Sequence, residues 1–158
     1  MQQQSFTATA GFVPLQQQPF TTAAAFYLFS KHHADFLILE TGLGGRLDAT
    51  NVIKQSIIDI ITPISFDHKE FLGTNLKRIT NEKLGIIKNS SSVIIGKQDK
   101  EVFSYIKNKI KKNKKRKLFY NKNFKVVKTT NKQIFIDLSE QNNYLKKYAC
   151  FLVSLLKL

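Results

Sequence analysis

DFLILETGLGGRLDATNVIKQSIIDIIT, residues 35–62, sets two short apolar runs on either side of a glycine-rich loop. DFLILE (35–40) ends in a carboxylate, and SIIDIIT (56–62) is rich in β-branched isoleucine. Runs of this length and composition read as buried strands. Between them TGLGGRLDATN (41–51) has the glycine content of a loop. Strands apolar on both faces belong in a mostly parallel sheet covered by helices. In such sheets ligands gather at the carboxyl ends of strands. Glu40 and the glycine loop are expected at such an end.

Working outward, TTAAAFYLFSKHH (21–33) is made of good helix formers, with Thr21 or Thr22 as N-cap. PISFDHKEFLG (63–73) reads as a loop and places Asp67 and His68 after the second strand. TNLKRITNEKLGIIK (74–88) sets Leu76, Ile79, Lys83 and Ile86 or Ile87 at helical spacing. SVIIG (92–96) is a third strand, and residues 99–113 form a basic helix. KLFY, FKVVKTT and KQIFIDL (117–120, 124–130 and 132–138) are shorter strands, and YLKKYACFLVSLLKL (144–158) is an amphipathic helix. Strands alternating with helices predict an α/β fold with a mostly parallel sheet flanked by helices.

The 158 residues suffice for one domain, and 42% hydrophobic content can fill its core. No apolar run reaches the roughly 18 to 20 residues of a membrane span, so no membrane partner is expected. The first basic residue is Lys31, which argues against a signal or transit peptide. A single cysteine, Cys150, forms no internal disulfide and no zinc cluster. A reducing cytoplasm is the simplest compartment. The net charge of +14 is uneven: Lys97 to Lys132 holds 14 basic residues against Asp99 and Glu101. The run KNKIKKNKKRK (107–117) has the composition of a nucleic-acid patch. A solvated helix face is the plainer reading, because charge runs are usually that. Residues 2–15 resemble residues 16–29 at an offset of 14, and this short repeat carries no assigned role.

GLGGR (42–46) is not a dinucleotide fingerprint, since no helix opens straight after it. It is not a phosphate-binding P-loop either, because no G-K-[ST] follows. By spacing alone it is a tight turn. By spacing alone, too, Asp67-His68 is a polar loop pair and Lys83 a solvated lysine on a helix.

The longer strings say more. ETGLGGRLDATN, then ITPISFDH, then NEKLGIIK resemble in order the central domain of folylpolyglutamate synthase and dihydrofolate synthase, members of the Mur ligase superfamily. The likeness runs from about Phe20 to Gly96, roughly half of the chain. It implies an incomplete Mur ligase central domain over residues 20–158, preceded by a Gln-rich segment at 1–19. It also implies an ATP-dependent ligase that activates a carboxylate as an acyl phosphate for attack by the amine of L-glutamate. The other substrate is then folate or dihydropteroate, and ATP and Mg²⁺ are the cofactors.

The resemblance gives individual residues roles. Glu40, His68 and Lys83 match metal-site positions. Lys83 matches a lysine that the family carbamylates with CO₂, which replaces an ammonium that repels Mg²⁺ by oxygens that attract it. Lys83, His68, Arg46 and Asp48 are the catalytic candidates, and Asn51, Gly44 and Gly45 the cofactor-binding ones. Arg46 offers a bidentate grip on phosphate or carboxylate, while Asp48 and Asn51 either orient the loop or touch substrate.

The family's ATP-binding P-loop and its C-terminal domain are not recognisable in these residues. The chain by itself is therefore expected to be inactive, with the missing portions of the enzyme as its partners. The alternatives are a small basic nucleic-acid-binding protein on a reused scaffold and a non-functional remnant.

Overall fold

The computed structural model describes residues 18–34, 37–66, 69–89, 91–113, 116–129 and 134–138. Asp67, His68, Cys150, the helix expected at 144–158 and most of the Gln-rich repeat lie outside them. The chain forms two compact units, residues 1–56 with 65–88, and residues 57–64 with 89–158.

In the first unit, helix α1 spans Gln18–Lys31. It begins ahead of Thr21 and Thr22, which lie within it and do not cap it. Pro19 accounts for the earlier start: it has no N–H to leave unpaired, and its fixed φ suits a first helical turn. Phe20, Tyr27 and Leu28 are exposed. The stretch 63–73, expected to be all loop, contains a four-residue helix, α2, at Lys69–Leu72. Gly73, at φ 78°, closes it by donating its N–H to the Lys69 carbonyl in a hydrogen bond of 2.9 Å. Helix α3, Leu76–Leu84, falls inside the predicted 74–88 window. Asn75 caps it by accepting the Arg78 amide at 3.1 Å, and Ile79 is fully buried.

Of the expected first strand (35–40), the described residues 37–40 form no strand. Within Leu37 to Glu40 only Ile38 is a bridge residue, and Leu37 is exposed. An apolar run becomes a strand only where a neighbouring ladder takes up its N–H and C=O groups. Glu40 therefore follows a single bridge residue and does not end a strand.

The second unit holds a parallel sheet of β1 (Ile58–Ile61), β2 (Ser92–Ile95) and β3 (Lys117–Phe119), in that order. Ile60 pairs with Ile94, and Ile94 with Leu118. Val93, Ile94 and Ile95 are all buried, so the middle strand is covered on both faces, as its unbroken apolar run requires. Helix α4, Lys100–Lys109, continued by a 3-10 turn at Ile110–Lys112, connects β2 to β3. It buries Val102, Ile106 and Ile110, spaced four apart on one face. The Phe103 and Phe119 rings meet edge to face at 5.4 Å, which places α4 on the Ile95 side of the sheet. On the opposite side Ile94, Leu118 and Phe124 form a core cluster.

A tight turn with Asn121 at φ 60° leads into an antiparallel pair, β4 (Phe124–Thr129) and β5 (Ile134–Leu138). The outcome is the expected α/β class with a mostly parallel sheet. Lys107, Lys109, Lys111, Lys112 and Arg116 of the basic run are exposed.

Candidate functional site

The glycine loop is organised by one carboxylate. Asp48 is buried, and its Oδ2 accepts the amides of Gly42 and Leu43 at 3.0 and 2.9 Å. Its Oδ1 accepts the amide and the hydroxyl of Thr50 at 2.9 and 2.6 Å. The second pair caps a 3-10 turn at Ala49–Val52, and the first folds the loop back over it. An ionised carboxylate has about four acceptor positions, and Asp48 uses that many. Gly44 and Gly45, at φ 69° and 153°, supply backbone angles that a side chain would resist.

The loop is clamped to the C-terminal end of α3. The Arg46 amide donates to the Glu82 carbonyl at 2.8 Å, and the Arg46 guanidinium meets the Glu82 carboxylate at 3.1 Å. A Cβ on Gly45 would stand 2.6 Å from the Glu82 carbonyl oxygen and 3.1 Å from the Lys83 Cα. A Cβ on Gly85 would stand 2.3 Å from the Arg46 Cβ. Glycine is therefore required on both sides of the contact. Asn51 donates its Nδ2 to the carbonyls of Arg46 and Gly85 at 2.9 and 3.2 Å.

Glu40 and Lys83, two of the three metal candidates, flank this clamp in the same unit. Glu40 leads into the loop and is exposed, while Lys83 follows Glu82 on α3. Among the described residues neither side chain makes a hydrogen bond or ion pair. Their side-chain chemistry, a carboxylate and a lysine nitrogen, would fit a hard divalent cation once that nitrogen carried CO₂. His68 lies outside the described residues, and among those described no three His, Cys, Asp or Glu side chains gather.

A cavity of about 620 Å³ opens beside the clamp, within the size range of small-molecule sites. Phe26 and Phe71 give it apolar walls, and Arg46, Asp48, Arg78 and Glu82 add charge.

The sequence model of the Mur ligase middle domain matches residues 4–152. The chain belongs to the Mur ligase family. Among curated Mur ligase relatives, a dihydrofolate synthase/folylpolyglutamate synthase of Buchnera aphidicola (subsp. Schizaphis graminum) is 45% identical over 92 residues, 58% of this chain and 22% of that protein. The namesake protein of Haemophilus influenzae is 47% identical over 77 residues, 49% of this chain and 17% of its own length. The chain thus spans about a fifth of the length of the curated relatives it matches.

Solved Mur ligase structures agree. Mycobacterium tuberculosis folylpolyglutamate synthase complexed with ADP is similar at a TM-score of 0.61 and 34% identity, over 68% of this chain and 25% of that one. E. coli FolC in complex with DHPP and ADP gives 0.63 and 29%, over 76% and 28%.

Three residues of this clamp escaped the sequence reading: Glu82, Gly85 and Lys88, whose Nζ donates to the Asn51 Oδ1 at 2.6 Å. All three stand in the NEKLGIIK string (81–88) with Lys83, and the string was the one available signal. Nothing in its spacing says that Glu82 turns to Arg46, 36 residues away.

Proposed function

We propose that this chain is part of an ATP-dependent ligase that adds L-glutamate to folate or to dihydropteroate through an acyl phosphate. The observation that carries this reading is the clamp. It joins two of the family strings, the glycine loop that follows Glu40 and the NEKLGIIK string that contains Lys83, through the Arg46–Glu82 and Asn51–Gly85 hydrogen bonds. The ADP, ATP-analogue and folate named for similar solved proteins support the same substrates here.

In this reading Glu40, His68 and carbamylated Lys83 would hold Mg²⁺. The bound ion would neutralise negative charge on phosphoryl oxygens. The chain's own residues do the rest. Lys83 in its neutral form attacks CO₂ through Nζ and releases a proton, giving an anionic oxygen donor. Asp48 holds the loop closed, and Gly44 and Gly45 let the backbone approach a ligand. Arg46 braces the loop through Glu82 and lines the cavity, where its remaining N–H donors would bind an anionic substrate group. Asn51 joins the loop to α3.

These 158 residues contain no Gly-Lys-Ser or Gly-Lys-Thr string, so the triphosphate cradle must come from other parts of the enzyme. The chain alone then fails to align ATP, which forfeits a proximity gain of roughly 7 to 11 kcal/mol. No helix among the described residues is long and apolar enough to cross a membrane. The cytoplasm is the proposed compartment.

The test is an assay with ATP, Mg²⁺, labelled glutamate and either dihydropteroate or tetrahydrofolate. The 158-residue chain should form no conjugate. A relative's homologous segment replaced by this chain should form it, and lose it on Lys83→Ala. A replacement that folds yet stays inactive with both acceptors would sink the ligase reading.

A further inference from the structure

We propose that Lys88 is a positioning residue that locks the glycine loop to α3 and so sets where the Lys83 side chain stands. The lock itself rests on geometry. Its consequence for Lys83 rests on the ligase reading.

The Lys88 ammonium donates to the Asn51 Oδ1 at 2.6 Å and lies 3.4 Å from the Asn51 carbonyl oxygen. An ammonium has only donors. It therefore holds the Asn51 amide with its oxygen toward Lys88 and its nitrogen toward the carbonyls of Arg46 and Gly85. A flipped amide would set its oxygen against two carbonyl oxygens and its NH₂ against an ammonium. One cation thus orients a side chain that joins two segments.

Lys83 lies between the anchor points of that join. On one side Glu82 takes the Arg46 amide on its carbonyl and the guanidinium on its carboxylate. On the other side Gly85 takes the Asn51 amide on its carbonyl. Glu82 and Gly85 are consecutive landing points of the same loop, with Lys83 and Leu84 bridging them. Loosening the Asn51 end frees the last turn of α3 to shift against Gly45, whose Cα faces the Lys83 backbone. A ligand that must meet a cation within a few tenths of an ångström is sensitive to such a shift.

The 158-residue chain carrying Lys88→Met, which keeps the stem and removes the donors, tests the lock. Amide hydrogen exchange should accelerate about tenfold at Arg46, in line with a lost charged hydrogen bond. The Val93 and Gly96 amides, in the other unit, should be unchanged. Lys88→Arg, which can still donate to Asn51, should restore protection. Unchanged exchange at Arg46 in Lys88→Met, or no rescue by Lys88→Arg, overturns the lock.

The second readout is Mn²⁺ affinity in bicarbonate buffer. It should weaken about tenfold in Lys88→Met, as when a group that orients a metal ligand is lost. Full Mn²⁺ affinity in a variant whose exchange has accelerated overturns the positioning role. Absent Mn²⁺ binding in the unsubstituted chain counts against the metal reading and so against Lys88 as a residue that positions a ligand, while the exchange result still decides the lock.

Discussion

Glu82 holds Arg46 twice, through its carbonyl oxygen at 2.8 Å from the Arg46 amide and through its carboxylate at 3.1 Å from the guanidinium. The two contacts differ in kind. The backbone bond fixes the chain path of the glycine loop, and the ion pair sits toward solvent, with Arg46 56% and Glu82 24% exposed.

Glu82→Gln keeps the backbone bond and removes the charge. Exposed pairs contribute about 0 to 1 kcal/mol and are screened by salt. The variant should lose no more than that in urea unfolding at low ionic strength. Its difference from the unsubstituted chain should vanish in about 1 M NaCl.

Gly45→Ala and Gly73→Ala separate crowding from backbone strain. Gly73 has φ 78° and nothing within 4 Å of an added Cβ, whereas Gly45 has φ 153° and the Glu82 carbonyl at 2.6 Å. Gly73→Ala should cost about 1 to 2 kcal/mol, the strain of a left-handed alanine. Gly45→Ala should cost more and should also raise amide exchange at Arg46, since the loop must lift from α3. Equal losses by denaturant titration would show that the clamp is not tight at Gly45.

Asp48→Asn replaces one of two oxygens that each face two donors. Whichever way the amide turns, an NH₂ opposes N–H or O–H groups. A loss of about 1 to 3 kcal/mol is expected from the unpaired donors. A chemical-shift map should confine the change to residues 42–51. Shifts spread through β1 to β3 would contradict a local role.

Ile94→Ala empties the middle of the parallel sheet, where Ile94 is 1% exposed against Leu118 and Phe124. Such truncations cost about 2 to 5 kcal/mol, depending on how far neighbours relax into the space. The midpoint of chemical unfolding should fall accordingly.

Replacing Lys107, Lys111 and Lys112 together by Gln probes the basic face of α4. All three are exposed, while Val102, Ile106 and Ile110 of the same helical segment are buried. Stability should change by about 0.5 kcal/mol or less per site. Nucleic-acid retention at physiological salt should be absent before and after substitution. Retention that falls steeply with added salt in the unsubstituted chain would favour the nucleic-acid-binding alternative.

Local pattern alone determined much of this protein. The isoleucine runs at 58–61 and 92–95 are strands because β-branched apolar residues fit a sheet covered on both faces. Helix α3 follows from apolar residues at helical spacing, α4 falls in the expected basic helix, and the three ordered strings pointed to the family. Other features waited for the folded chain. The 37–40 segment pairs through a single bridge residue, Ile38, because pairing depends on a neighbour and not on composition. The start of α1 moved to Gln18 because a proline that looks like a breaker is at home in a first turn. Asp48 emerged as the hub of its loop, Glu82 as the partner of Arg46, and Lys88 as the partner of Asn51, 37 residues away. Periodicity shows which face of an element is buried. It does not say which distant donor a given acceptor meets, because that choice is made only when packing brings two segments within hydrogen-bond reach.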